Sequence, residues 1–433
     1  MMKRKTYSFA LLLALMLFAP LSISAQIIGK NIVVLIQPDH ADWNYKVGET
    51  AKFSVQVLRS STPLAGVKVD IEAGPSLYPT EKKSMELKDG TFSWKGALKK
   101  PGFYTLKVKA HTGGKDYDGI CSVAFSPEKI VPFAQCPSDF DQFWSDKLAA
   151  ARKHDLNPTR RLLPERCTKD VNVYEVSYVN DGPQSRFYGI LTVPVNAKAG
   201  SCPALLRVPG AGARPYAGDI YTAQCGGIVL EVGVHGIPVT MQQEVYDQLM
   251  SSALDGYWDS NVDDREKNHY RRIVTGAVRG ADYLASLPEW DGQNMGVTGS
   301  SQGGFLSLAV AALDKRITAM AAVHDAMCDY EAECHGVAGG WPHYFLWEKP
   351  TQKKVEGARY YDGVNFARRI TCPCWFSFGY NDEVVPPTSS YGTYNVVTAP
   401  KTLSVYQQTA HFWYQEQWDE WVDWLFKELN IKK

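Results

Sequence analysis

The sequence predicts two domains in succession, an all-β sandwich followed by an α/β domain with a doubly wound, mainly parallel sheet. Three observations support this prediction. The chain has 433 residues, more than one ordinary domain needs. Short runs of alternating apolar and polar residues fill residues 26–128, whereas strand-like and helical runs alternate over residues 129–433. Pro132 and Pro137 mark a linker where the pattern changes.

The first 25 residues have the pattern of a signal peptide. The basic segment Lys3–Lys5 precedes an apolar run, Phe9–Leu21, and the small residues of Ser22–Ala25 follow. The apolar run is shorter than the roughly 20 residues that a membrane-spanning helix needs, so cleavage near Gln26 is favoured over an uncleaved anchor. The pattern predicts a secreted, periplasmic protein that does not insert into the membrane.

Residues 26–128 are predicted to form an immunoglobulin-like β-sandwich. Lys46–Glu49 and Lys100–Tyr104 resemble segments of the immunoglobulin-like modules of bacterial surface and periplasmic proteins. No catalytic group of residues is evident here, so we expect a structural or docking module, with carbohydrate binding as the alternative. Five alternating runs separated by turn residues are typical of an antiparallel sandwich, namely 32–36, 51–57, 67–71, 91–94 and 103–108.

Residues 129–433 are predicted to alternate strands with helices. This alternation is typical of a parallel sheet covered by helices on both faces, and such sheets place their sites at the carboxyl ends of the strands. The predicted strands are two within 171–194 and one each at 204–208, 227–232, 294–298, 317–323, 374–378 and 403–406. The predicted helices are 139–154, 268–286, 303–312 and 415–429.

Ser301 is the predicted nucleophile. It occupies the centre of the sequence Gly299-Ser300-Ser301-Gln302-Gly303, with a predicted strand before it and a predicted helix after it. In the nucleophile elbow of α/β-hydrolases, the flanking glycines permit a strained turn that projects the serine hydroxyl. The five-residue pattern alone is weak, but its position between a strand and a helix predicts a serine hydrolase.

A serine hydroxyl needs a base and an acid, which this fold supplies later in the chain in the order Ser, Asp, His. Asp382 follows the predicted strand 374–378, and His411 follows the last predicted strand. None of the other histidines near the site has that position, so Asp382 and His411 are the predicted partners of Ser301. The backbone N–H groups of Gln302 and Ala211 are the predicted oxyanion hole, with Ala211 in the loop after an early strand.

At these residues the chain resembles the acetyl xylan esterase and cephalosporin C deacetylase family over roughly residues 130 to 430. The resemblance implies an α/β-hydrolase that removes small acyl groups from sugars without a metal or organic cofactor. Three positions depart from the family pattern: His235, Phe412 and Ala211 stand where Arg, Glu and Tyr are usual. The matching segments are Pro137–Trp144, Tyr270–Arg272, Val278–Leu284, Ser301–Gly304 and Asp382 with Val385–Pro387.

The sequence predicts ester cleavage by a serine nucleophile but leaves more than one natural ester open. Arg207, Arg214, His235 and Arg272 are candidate substrate contacts, and an arginine beside the pocket suits the carboxylate or carbonyl region of a uronic acid. The leading hypothesis, implied by the family resemblance, is a secreted serine esterase that removes small ester substituents, acetyl above all, from plant-type polysaccharides or oligosaccharides. A methyl esterase for uronic-acid residues of pectin-like glycans is the enzymatic alternative. A glycan-binding protein with a decayed hydrolase domain is the alternative from another class.

Composition argues against a general affinity for polyanions. The 46 Lys and Arg residues are balanced by 46 Asp and Glu residues, so no net charge attracts nucleic acid or an anionic membrane. The histidines show no zinc-ligand spacing, and no glycine-rich phosphate loop is present. The sequence predicts no metal, cofactor or nucleic-acid partner, and it leaves the oligomeric state open.

Overall fold

A computed structural model describes residues 31–433, so the predicted signal peptide lies outside the described residues. The first part of the described chain contains strands alone. The strands are β1 Ile32–Pro38, β2 Asn44–Tyr45, β3 Ala51–Arg59, β4 Thr62–Pro63, β5 Val67–Pro75, β6 Glu81–Leu87, β7 Thr91–Gly96, β8 Gly102–Thr112 and β9 Lys115–Phe125.

These nine strands form the predicted sandwich. One sheet contains β1, β3, β4 and β7, and the other has the order β2-β9-β8-β5-β6. Alternate side chains of both sheets point inward, as the burial of Phe53, Val55 and Val57 on β3 illustrates. All five predicted runs are strands, and β2, β4, β6 and β9 are additional ones.

The second part of the chain is built on one nine-stranded sheet with the order β10-β11-β12-β14-β13-β15-β16-β17-β18. The strands from β13 to β18 pair in parallel, while β10, β11 and β12 are antiparallel additions. This is the mainly parallel sheet that was predicted. The strands are β10 Thr159–Leu162, β11 Val171–Val179, β12 Arg186–Pro194, β13 Cys202–Arg207, β14 Ile228–Gly233, β15 Trp290–Ser300, β16 Ala319–Val323, β17 Cys374–Phe378 and β18 Lys401–Val405.

Helices cover the sheet. The largest apolar cluster is formed by strand side chains packed against α1, α4, α5 and α7, and α9 covers β13 and β16 in a separate cluster. Among residues 31–433, no helix has both the length and the apolar character required to cross a membrane. The helices are α1 Phe140–Arg152, α2 Ile220–Gln224, α3 Gln243–Met250, α4 His269–Ala285, α5 Gln302–Leu313, α6 Gln352–Ala358, α7 Gly363–Ala367, α8 Pro387–Val396 and α9 Gln415–Glu428, with short 3₁₀ segments at Pro127–Lys129, Pro164–Arg166, Tyr257–Asp259, Tyr330–His335 and Arg359–Tyr361.

The predicted linker is hydrogen-bonded to the buried carboxyl group of Asp329, and the backbone of Asp329 is hydrogen-bonded to a second buried carboxyl group, that of Asp362. The backbone N–H of Ala134 donates to Asp329 Oδ1 at 2.8 Å, and Asp362 accepts from the backbone N–H groups of Asp329 and Tyr330. Burial, with the Asp362 carboxyl nearby, raises the pKa of Asp329 to about 8. Asp329 is therefore mainly protonated at neutral pH and is a neutral hydrogen-bonding group there.

Replacing Asp329 with Asn should flatten the pH dependence of stability. A raised pKa means that the folded state holds a proton that the unfolded state has released, so the stability from Asp329 is lost as pH rises toward about 8. Asn retains the oxygen that accepts from Ala134 and has no proton to lose. We expect the wild-type thermal midpoint to fall more steeply than that of Asp329→Asn between about pH 4 and about pH 8, and the two curves to run parallel above that range. Parallel curves between about pH 4 and about pH 8 would contradict this.

Candidate active site

Ser301 lies between β15 and α5 in a backbone conformation that few residues adopt. Its φ of 61° and ψ of −125° are in a sparsely populated region that costs on the order of 1–3 kcal/mol. The flanking glycines permit this turn, because a Cβ at Gly299 or Gly303 would lie 2.4 Å from the Val208 carbonyl oxygen. The backbone therefore forms the strand-turn-helix geometry that projects a serine hydroxyl from the edge of the sheet.

A hydrogen-bonded chain joins the three predicted triad residues. Ser301 Oγ lies 3.0 Å from His411 Nε2, and His411 Nδ1 lies 2.8 Å from Asp382 Oδ2. Asp382 is 1% exposed, and its Oδ1 accepts from the backbone N–H groups of Val384 and Val385, each at 2.9 Å. The three residues meet because they follow β15, β17 and β18, whose carboxyl ends lie at one edge of the parallel sheet.

A second imidazole, His324, lies against His411. The ring centroids are 5.0 Å apart, and His324 Nδ1 lies 3.3 Å from Ser300 Oγ. Burial lowers the pKa of His324 to about 4. The ring is consequently uncharged near neutral pH and adds no positive charge beside His411.

His324, Asp382 and His411 are also the one group of potential metal ligands found among residues 31–433, with ligand atoms within 4.8 Å of one another. A metal ion would compete for the atoms that link His411 to Asp382. The independence from metals and cofactors that the family resemblance implies stays a prediction.

The Gln302 side chain forms a buried network that no sequence motif indicated. Tyr257 and Tyr270 both donate their hydroxyl hydrogens to Gln302 Oε1, at 2.6 and 2.8 Å. The Tyr257 hydroxyl also accepts from the backbone N–H of Gly212 at 3.1 Å. Burial raises the pKa of both phenols, which keeps them protonated as donors. Through Tyr257, the network connects Gln302, the residue after the candidate nucleophile, to Gly212 in the loop after β13.

That loop contains Ala211 and runs directly beside Ser301. A Cβ on Gly210 would lie 3.9 Å from Ser301 Cβ and 3.4 Å from the Ser300 carbonyl oxygen. Ala211 and Ser301 line the same cavity. Both predicted oxyanion-hole residues therefore lie near Ser301, with Gln302 at the first position of α5 and Ala211 in the wall of the cavity that Ser301 lines.

The cavity at Ser301 and His411 has a volume of about 850 Å³. It is open to solvent and much larger than an acetyl group needs, since pockets of about 300–1,000 Å³ hold whole drug-sized ligands. Its wall combines aromatic rings with charged groups, and these residues are Tyr216, Tyr221, Trp341, Trp413, Trp418 and Trp421 together with Arg207, Arg214, Asp219 and Glu231.

Two of the four predicted substrate contacts, Arg207 and Arg214, line this cavity. Arg207 is already paired, because its Nη1 lies 2.7 Å from Asp219 Oδ2 and its guanidinium stacks over the Trp418 ring. Arg214 is exposed and contacts the Ala211 carbonyl oxygen. Among residues 31–433, no carboxylate lies within ion-pair distance of Arg214, which leaves its charge available to a ligand.

The structure places the other two predicted contacts, His235 and Arg272, outside the cavity. The Arg272 guanidinium lies over the Phe187 ring, with Nη2 3.2 Å from the Arg186 carbonyl oxygen. His235 is largely buried and packs edge-on against Tyr257 with ring centroids 4.6 Å apart. Burial lowers the pKa of His235 to about 4, so it is a neutral packing partner of Tyr257.

The sequence of this chain is similar to those of known esterases. The model of the acetyl xylan esterase family (AXE1) matches residues 128–428. The acetyl esterase Axe7A of Xylanibacter ruminicola is 39% identical over 406 residues, which cover 92% of this chain and 90% of that protein. The chain belongs to the acetyl xylan esterase family. This membership confirms the resemblance seen in the sequence and makes the chain a carboxylic ester hydrolase.

Two solved structures share the fold of this acetyl xylan esterase family member. The acetyl xylan esterase from Paenibacillus sp. R4 has a TM-score of 0.61 and 23% identity, covering 70% of this chain and 98% of that one. Acetyl xylan esterase 1 from Thermoanaerobacterium sp. JW/SL YS485 has a TM-score of 0.60 and 23% identity, covering 70% and 97%. The α/β-hydrolase fold is confirmed. Each esterase aligns over nearly its whole length, but the alignment covers only 70% of this chain. The rest of this chain has no counterpart in either esterase structure.

Proposed function

We propose that this chain is a serine carbohydrate esterase that removes acetyl groups from plant-type polysaccharides or oligosaccharides through Ser301, His411 and Asp382. The observation that carries the proposal is the hydrogen-bonded chain from Ser301 Oγ through His411 to the buried carboxylate of Asp382, at the wall of an open cavity. Together these groups supply a nucleophile, a base within reach of its proton and an acid that fixes the imidazole.

The reaction proceeds through an acyl-enzyme. His411 Nε2 takes the hydroxyl proton as Ser301 Oγ attacks the ester carbonyl carbon, and the carbonyl electron pair moves onto oxygen. Collapse of this tetrahedral species breaks the ester bond, and the departing sugar oxygen receives the proton from His411. Water then attacks the acetyl group on Ser301 by the same route, which releases acetate. Asp382 accepts from His411 Nδ1 throughout and stabilises the imidazolium.

The negative oxygen of the tetrahedral species is stabilised by the backbone N–H groups of Gln302 and Ala211. Gln302 begins α5, where unpaired N–H groups and the helix dipole favour negative charge. The Gly210 backbone passes close to Ser301, which supports Ala211 as the second donor. Pre-positioned donors of this kind contribute several kcal/mol, typically about 10²–10³ in rate for one donor.

Replacing Tyr257 with Phe should lower kcat by about tenfold, because the loop that holds Ala211 loses its link to Gln302. Tyr246→Phe is the matched control. The Tyr246 hydroxyl is also buried, donates to the Pro238 carbonyl oxygen and accepts from the Met241 N–H, but it contacts neither Gln302 nor the loop. We expect kcat of the control to stay within about twofold of wild type. Equal losses in both variants would contradict the proposed oxyanion hole.

Three findings support an acetylated glycan as the substrate. The relatives are named acetyl esterase or acetyl xylan esterase, and the cavity is large enough for sugar rings as well as the acetyl group. The cavity is also lined by indole rings, including those of Trp341 and the 43% exposed Trp413, and such rings suit the apolar faces of pyranose rings.

A methyl esterase for uronic-acid residues is the second candidate, and one observation favours it. Arg214 lies in the cavity and has no carboxylate partner among the described residues, so a uronic-acid group has a cation to bind there. In that reaction the uronyl group would be carried by Ser301, and methanol would leave. Both candidates use the same triad and differ in the acyl group carried by Ser301 and in the alcohol that leaves.

Mass spectrometry of oligosaccharides after incubation separates the candidates. Acetylated xylan fragments should lose acetyl groups with wild-type protein and keep them with Ser301→Ala, while methylated pectin fragments should keep their methyl groups. Loss of methyl groups alone would instead establish the uronic-acid methyl esterase. Binding of fragments with no mass change would contradict both enzymes and favour a glycan-binding protein.

We also propose that the protein is exported to the periplasm. The support is the order of Lys3–Lys5, Phe9–Leu21 and Ser22–Ala25 at the N-terminus. N-terminal sequencing of protein purified from the periplasmic fraction should find Gln26, or a residue close to it, as the first residue. Recovery of intact Met1 only from the cytoplasm would contradict export.

A further inference from the structure

The sandwich contacts the loop that carries Asp382. This acid loop, residues 379–386, connects β17 to α8. Strand β9 lies next to the edge of its sheet, and the short edge strand β2 pairs only with Ala124 and Phe125. The next outward-facing N–H of β9, that of Ser122, therefore needs another acceptor. Asn381 Oδ1 accepts from it at 2.8 Å in a buried position.

Asn381 connects three parts of the molecule. Besides accepting from Ser122 of the sandwich, its side-chain Nδ2 donates to the Gln408 carbonyl oxygen at 3.3 Å. Its backbone N–H donates to the Thr409 carbonyl oxygen at 3.1 Å. Gln408 and Thr409 lie just before His411, and Asn381 lies just before Asp382. A single side chain thus joins the sandwich, the acid loop and the histidine loop.

The residues on either side add contacts to the same junction. The Tyr380 hydroxyl donates to Asn44 Oδ1 at 2.9 Å, and the Phe103 ring packs edge-on against the Tyr380 ring with centroids 4.9 Å apart. Glu383 forms an ion pair with Lys107 of β8. Tyr380 and Phe103 are 1% and 2% exposed, so this is a packed interface rather than a chance surface contact.

We propose that the sandwich is a positioning element of the active site, acting through Asn381 as a positioning residue that holds Asp382 and His411 in register. The proposal rests on the proposed triad. Asp382 lies between Asn381 and Glu383, each of which is held by a sandwich residue. A shift of the acid loop by about 1 Å would lengthen the bond from Asp382 to His411, and misplacement of that size costs up to about 10²-fold in rate.

The test measures kcat, KM, thermal midpoint and the rate of inactivation by a fluorophosphonate in full-length variants. Inactivation reports the attack by Ser301 without sugar binding. We expect Asn381→Ala to lower kcat and the inactivation rate together by about 10- to 100-fold, with KM within about twofold. Asn44→Ala and Tyr380→Phe each remove the hydrogen bond between these two residues, and Tyr380→Phe also removes the one with the Tyr391 hydroxyl, so their effects should be less than additive in the double variant.

Two buried phenylalanines of the sandwich provide a matched comparison. Phe103→Leu loses contact with Tyr380, whereas Phe53, 1% exposed, packs within the sandwich beside Tyr104. We expect both variants to lower the thermal midpoint, but only Phe103→Leu to lower kcat, by about 3- to 10-fold.

Two outcomes would overturn the proposal. One is wild-type kcat and inactivation rate in folded Asn381→Ala and Phe103→Leu. The other is an equal loss of kcat in Phe53→Leu, which would indicate a general effect of destabilising the sandwich. If either outcome is found and Ser301→Ala is inactive in the same series, only the proposed positioning role is contradicted. An active Ser301→Ala would instead overturn the proposed triad.

Discussion

Replacing Ser301 with Ala should lower kcat for 4-nitrophenyl acetate by about 10⁶-fold. Ser301 Oγ lies 3.0 Å from His411 Nε2. The strained turn at Ser301 requires glycine at positions 299 and 303, because a Cβ there would collide with the Val208 carbonyl oxygen. The variant keeps the oxyanion hole and the cavity, so a small rate above that of water remains. Steady-state kinetics with purified, folded protein measure the loss.

The neighbouring serine is the control for this substitution. Ser300 Oγ lies 3.3 Å from His324 Nδ1, a ring that is neutral near neutral pH because burial lowers the pKa of His324 to about 4. We expect Ser300→Ala to keep kcat within about tenfold of wild type. If the two replacements had similar effects, or if Ser300→Ala alone abolished activity, the proposed nucleophile would be the wrong serine.

Replacing Asp382 with Asn should lower kcat by about 10⁴-fold without unfolding the protein. The N–H groups of Val384 and Val385 bind Oδ1 and will keep the oxygen of the new amide on that side. The amide nitrogen then faces His411 Nδ1 as a donor. His411 must accept there and carry its proton on Nε2, so it can no longer take the proton of Ser301.

Asp325→Asn tests whether the effect belongs to Asp382 or to any buried carboxyl group near the site. Asp325 is fully buried next to His324, and burial raises its pKa to about 6, but its carboxyl group forms no bond with His411. We expect its kcat to stay within about tenfold of wild type. An Asp382→Asn enzyme that turned over as fast as Asp325→Asn would exclude the proposed orienting role.

Elements with a clear apolar run or a regular periodicity were predictable, whereas the strand at the interface between the two parts of the molecule was not. Strand 374–378 and helix α9 were predicted within one residue, since length and periodicity identify such elements. Strand β9 was missed. Its last five residues are all buried, because Val123 faces the sandwich core while Ser122 and Ala124 face the α/β part. Alternation is lost at such an interface.

The candidate site also contains some residues that the sequence predicts and others that it does not. Ser301, Asp382 and His411 were predictable because each follows a recognisable strand and the order of the three is a property of the fold. Tyr257 and Tyr270 were not predicted, although both bond to Gln302. They lie 45 and 32 residues before Gln302, and no local pattern distinguishes them from other buried tyrosines.

Arg207 and Arg214 illustrate a further limit of the sequence. Both were predicted beside the pocket, and both line it, but their surroundings differ. Asp219, twelve residues after Arg207, pairs with that guanidinium, whereas Arg214 has no carboxylate partner in the described chain. Which charge is available to a ligand depends on side-chain contacts that only the folded structure defines.

The most direct test of Ser301 as the nucleophile is peptide mapping after reaction with a fluorophosphonate, which bonds irreversibly to an activated serine oxygen. Wild-type protein should lose activity in proportion to a single adduct on Ser301, and neither Ser301→Ala nor Asp382→Asn should be labelled at a comparable rate. Complete inactivation with the adduct on another residue, or full activity in Ser301→Ala, would contradict the triad.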